Sequence, residues 1–239
     1  TLEAVSFAQT GYDLVFNGSG NTFANAATFQ NTGTLDLGNN TNDTFVFDAG
    51  LTENTTGTVT LAGSIDSTND DITFGAITLA TATTIDTNAS DTTGDIIIGA
   101  VTGANNSLTL DTTTTTGSAD NTFNGDINLG TGALTVTGDV VLGANVSVTA
   151  TPSSGIGIRF NDAINADSAS SNDRTLTLNA GTAATIFALG SNVGASQALA
   201  GLTITQSNGA TFSGSVDVSD SSSGTITLTD TTDGANITF

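Results

Sequence analysis

Carboxylates make up almost the whole chemical inventory of this chain. Of its 239 residues, 23 are acidic and two are Arg (Arg159 and Arg174), and Lys, His and Cys are absent. Without His or Cys, no Ser-His-Asp or Cys-His set can be assembled. Without Cys there is no disulfide, no reactive thiol and no thiolate metal site. Lyase chemistry on uronates needs basic groups to hold carboxylates and to acidify the proton being removed, and two Arg are thin provision. A paired-carboxylate glycosidase can be written formally on Asp70 and Asp71. Sugar-cleaving sites also use aromatic platforms, however, and Tyr12 with scattered Phe offers few. The reading is of a non-enzyme, with no catalytic and no cofactor-binding residue.

Grouped acids can also hold a hard divalent cation. The turns NNTNDTFVFD (39–48), DSTNDD (66–71), DTNASDTTGD (86–95) and DTTDGAN (230–236) bring oxygen ligands together in short stretches, which is what Ca²⁺ prefers. The candidate ligands are Asp66, Asp70 and Asp71, or Asp86, Asp91 and Asp95, and calcium is the expected ion. None of these turns has the EF-hand spacing or the glycine-rich nonapeptide of calcium-binding repeats. Asp and Asn also favour turns for conformational reasons of their own.

A formal net charge of −21 works against phosphate backbones and anionic membrane surfaces, because neutralising phosphates takes Lys and Arg. Nucleic acid is therefore not an expected partner. No apolar run approaches the roughly 18–20 residues of a membrane span, and none is expected.

The elements that must position these acids are strands. Apolar residues alternate with polar ones, largely Thr, and Gly-Asn-Asp clusters interrupt the alternation every 8–14 residues, a β pattern. Two series repeat. Phe23, Phe47, Phe74, Ile98, Phe123, Phe160, Phe187, Phe212 and Phe239 step by 24–27 with one jump of 37. Leu37, Leu61, Ile85, Leu110, Val136, Leu178, Ile204 and Leu228 step by 24–26 with one jump of 42. A shared period near 25 predicts an all-β, right-handed parallel β-helix (β-solenoid) with about 25 residues per rung. Each coil buries its inner face only by stacking on its neighbours. The coinciding jumps predict one stack over 1–239, with an inserted half-rung near 137–157 and wider rungs after it. Tandem antiparallel β-sandwich domains are the alternative.

The pairs TVT (58–60), TVT (135–137), TLT (175–177), TIT (203–205) and TIT (225–227) would form a flat Thr array if they shared a face. That is an ice-binding geometry, although Thr suits any exposed strand.

The motifs ALTVTGDVVLGANVSVTA (133–150), TLTLNAGT (175–182) and LAGLTITQSNGATFSGSV (199–216) resemble the repeats of large secreted bacterial adhesins of the filamentous-haemagglutinin-like type. The likeness covers most of the chain from about residue 57 and carries no catalytic signature. It implies an extracellular or cell-surface protein, a stiff acidic rod used in adhesion or matrix building. Expected partners are a host or neighbouring cell surface or its glycans. The strand-like, uncapped ends predict end-to-end self-association or continuation in a longer chain. Two other functions fit the sequence: a sandwich-type filament subunit completed by a neighbour's strand, and an ice- or carbohydrate-binding module.

Overall fold

The computed structural model describes residues 5–7, 10–88, 93–113, 118–168, 174–188, 192–219, 224–228 and 234–239. All regular structure among them is β, and the chain winds as a right-handed parallel β-helix. Every strand pairing among these residues is parallel, and each coil contributes to three faces in turn.

The first face is an eight-stranded sheet built from Val5–Phe7, Ala27–Phe29, Leu51–Glu53, Ile72–Phe74, Ile96–Ile98, Asp120–Phe123, Asp139–Leu142 and Ile164–Ala166. Single pairings from Ile164 to Val193 and from Val193 to Val216 continue it. The second face runs from Leu14–Phe16 through Leu35–Leu37 and Ile127–Gly130 to Thr225–Leu228. The third runs from Asn21–Phe23 through Leu108–Asp111 and Leu134–Thr137 to Ile237–Thr238. Val59–Ser67 and Ile77–Asp86 bend through a corner and serve both the second and third faces. Gly63 makes the first of these bends with φ +79, where an added Cβ would meet the carbonyl of Asp43. Only Gly adopts that conformation without strain.

Alternation with period two sends every second side chain inward. On the second face Leu35, Val59, Ile77, Val101, Ile127 and Val148 stack in register. On the first face Phe74, Ile98, Phe123 and Leu142 do the same, and all four are at most 2% exposed. Equivalent residues of successive coils thus lie on one another, as the period demanded. At ~25 cal/mol per Å² of apolar surface, these files supply the main driving force for folding.

The two sequence series change face as they go. Phe23 and Phe47 belong to the third face, Phe74 to Phe123 to the first, and Phe160 and Phe212 again to the third. The half-rung expected over 137–157 is a product of that crossing. Val136 pairs with Phe160, 24 positions on, and the chain between them makes Asp139–Leu142 on the first face and Val146–Ala150 on the second. The widening is also narrower than expected. Val148 pairs with Leu178, 30 positions on, but Ile204 pairs with Leu228 at 24. Phe187 leaves the file altogether, because Ala188 takes the inward place and Phe187 lies outside beneath the Arg159 guanidinium, 5.7 Å from the ring centre.

Candidate functional site

Where the third face turns into the first, the chain sets two files of carboxylates. Asp66, Asp86 and Asp111 are in register at the ends of third-face strands, each directly after an inward Ile or Leu. Asp71, Asp95, Asp120 and Asp139 open successive first-face strands, in DITF (71–74), DIII (95–98), DNTF (120–123) and DVVL (139–142). In this second file the side chains cap the next coil. Asp71 Oδ1 accepts the N–H of Asp95 at 2.9 Å, Asp95 Oδ1 that of Asp120 at 2.9 Å, and Asp139 Oδ1 that of Ala163 at 3.0 Å.

Other corners use the same device. Asp13, Asp126 and Asn145 accept the N–H groups of Thr34, Ser147 and Thr175 from the following coil. Parallel ladders lose their partners at a corner, and a short Asp or Asn reaches across to restore one.

Stacking like charges about 4.8 Å apart has an electrostatic cost. Burial pushes Asp66, Asp86, Asp95 and Asp120 above the usual carboxylate range. The charges of Asp111 and Asp66 push Asp86 further the same way, as Asp71 does for Asp95, and Asp95 and Asp139 for Asp120.

The six calcium candidates therefore separate. Asp66 and Asp86 share one file, and Asp71 and Asp95 the other. Asp70 joins neither; it is exposed, and its main-chain oxygen accepts the Ser67 hydroxyl. Asp91 lies outside the described residues. Among the described residues no three acidic, His or Cys side chains gather closely enough to hold a metal ion. The files explain why: an in-register row spaces its carboxylates along the rod instead of turning them toward one point.

The Thr pairs divide too. Thr175 and Thr177 sit in register with Gly201 and Thr203, then with Thr225 and Thr227, on the second face. Thr135 and Thr137 are on the third, beside Thr109 and Asp111.

The sequence reading missed three buried polar groups that fasten the corners. Asn31, wholly buried, donates to the carbonyls of Tyr12, Gly33 and Thr34 and accepts the Thr55 hydroxyl at 3.2 Å. Glu53 occupies an inward position in register with Phe29, and its carboxylate accepts the N–H groups of Thr55 and, at 3.1 Å, Gly75. Asn121 donates to the Thr112 hydroxyl at 2.9 Å and to the Thr137 carbonyl at 3.0 Å. A Glu in a strand position otherwise held by Phe was the one visible sign.

The described surface has one broad polar groove, of about 480 Å³, on the first face beside the acidic file. Asp120, Asp139, Val141, Asn165, Asp167 and Gln197 are among the residues that line it. Arg174 holds Asp167 with two hydrogen bonds, Nη2 to Oδ2 at 2.7 Å and Nε to Oδ1 at 3.3 Å.

The class defined by this geometry is the β-solenoid: a three-faced parallel helix with acid-lined corners. No protein-family model matches the chain, and no curated protein or solved structure matches it.

Proposed function

We propose that this chain is a non-enzymatic, extracellular structural and adhesive element: a stiff acidic β-helical rod of a cell-surface or matrix protein. The observation that carries the reading is the unbroken inward file. One apolar core, from Phe23 to Phe212, threads all three faces without a gap. Bending such a rod would separate stacked strands and open its core, so stiffness along the axis is built into the pairing.

The surface fits a life in water more than a role in turnover. Two Arg against 23 acids keep copies apart and repel anionic surfaces. The adhesin-like repeat style of 133–150, 175–182 and 199–216 supports a place outside the cell. Eight stacked strands on the first face at ~4.8 Å spacing give a rod of ~40 Å.

Two measurements test the reading. Small-angle scattering should give a rod cross-section that stays constant as denaturant approaches the unfolding midpoint. Antibodies raised against the purified chain should label intact cells of the source organism. Labelling only after permeabilisation would overturn the extracellular assignment.

A further inference from the structure

The groove on the first face has a lining that selects among ligand chemistries. Asp120, Asp139 and Asp167 border it, so anions are repelled. Val141 and Ala166 are its main apolar patches, too few to hold an apolar molecule. Among the described residues no metal-chelating group forms. A neutral ligand rich in hydroxyl groups satisfies the lining: hydroxyls donate to carboxylates and accept from amides, while small apolar patches meet C–H faces.

Asn165 supplies an independent observation. It projects outward from the first face in register with Val141, yet only 9% of it is exposed. Its side-chain oxygen is turned toward the next coil, where it accepts the N–H of Ser196 at 3.0 Å and of Gln197 at 3.3 Å. That leaves the amide nitrogen on the groove side, with no hydrogen bond to the described residues. A donor held this rigidly, nine-tenths covered and without a partner in the chain, is costly unless something accepts from it. The volume of about 480 Å³ falls within the roughly 300–1,000 Å³ of small-molecule sites.

We propose that this groove binds a neutral saccharide. Asn165 Nδ2 donates to a sugar oxygen, Asp120 and the second oxygen of Asp139 accept from hydroxyls, and Val141 packs on the ring. Arg174 fixes the orientation of Asp167 at the far wall. The proposal deepens the adhesive-rod reading and rests on it for its setting.

The test is a ¹H–¹⁵N NMR titration with millimolar methyl glycosides of glucose, galactose, mannose and N-acetylglucosamine. At least one should shift the Asn165 side-chain NH₂ pair together with the amides of Val141 and Gln197. Asn165→Asp keeps the acceptor for Ser196 and Gln197 but removes the donor, so affinity should fall about tenfold, the equivalent of about 1.4 kcal/mol. Val141→Arg should block the groove from its floor without touching the core. If none of the four sugars shifts these signals, or if the shifts survive in both variants, the proposal is overturned. Calcium chloride shifting Asp120 and Asp139 while no sugar acts would also overturn it. The rod reading fails separately: a chain that binds sugar but is found inside cells sinks the setting alone, and a surface-labelled rod that ignores sugar sinks the groove alone.

Discussion

At the scale of single residues, inward and outward Phe should behave as opposites. Phe123 is fully buried between Ile98 and Leu142 on the first face. Phe123→Ala should lose about 3–5 kcal/mol of stability, from lost transfer energy and the cavity left behind. Phe187 was expected in the same core file, but it lies outside, under Arg159. Phe187→Ala should cost no more than about 1 kcal/mol, the worth of a surface cation–π contact. Urea unfolding of the two variants checks the contrast; equal losses would refute the assignment of faces. Glu53 makes a third case. Removing its carboxylate by Glu53→Ala strands the N–H groups of Thr55 and Gly75, at about 1–3 kcal/mol for a buried donor left unpaired. Glu53→Gln, which keeps an acceptor, should recover part of that loss in the same assay.

Corners and coils were legible to different degrees, for a reason rooted in the fold. Each coil carries three inward strands of similar composition, and the turn from first to second face is as short as Gly-Ala in TFGAI (73–77) and IIGAV (97–101). Nothing in a motif of that length marks which face it occupies, so the period was readable while the face was not. That is why an alignment on Phe slid from the third face to the first and back, and why 137–157 looked like an insertion. The acids were read by density along the chain, as in 66–71 and 86–95, whereas the fold groups them by position in the coil. The Asp that opens DITF, DIII, DNTF and DVVL is a sequence signal that reads out once strands are aligned. Asp111, Asp120 and Asp139 were missed because their runs are sparse.

These files should leave a pH signature. Asp66, Asp86, Asp95 and Asp120 have their carboxyls raised above the unfolded value. In the window between the unfolded and folded values the native state binds more protons, so stability falls as pH rises. The melting temperature should therefore climb as pH drops from 7 toward the usual carboxylate range. Asp95→Asn keeps the cap on Asp120 but removes a charge facing Asp71 and Asp120. It should raise the neutral-pH midpoint and flatten the pH slope, and Asp86→Asn, which relieves Asp66 and Asp111, should do the same in its own file. Melts that are flat from pH 7 to pH 5 in the parent would refute the electrostatic account of both files.

For the molecule as a whole, the question is whether cations act as a diffuse atmosphere or as ligands. A net charge of −21 on a narrow rod gives long-range self-repulsion that salt screens, with a Debye length of roughly 10 Å at 0.1 M. Chelation would need three or more oxygens converging on one point, as in calcium sites. The in-register files instead hand each carboxylate to a backbone N–H of the next coil, and no converging set forms among the described residues. Sodium chloride should then raise the melting temperature steadily, and Ca²⁺ and Mg²⁺ should act alike at equal concentration. EDTA added to the purified chain at constant ionic strength should leave the midpoint where it was. A sharp Ca²⁺ preference would mean that the turns at 66–71 and 86–95, with Asp91 completing the second, close around the ion as first expected from their composition. That outcome would replace the atmosphere with a site, and the spacing of the two files would have to change to make it.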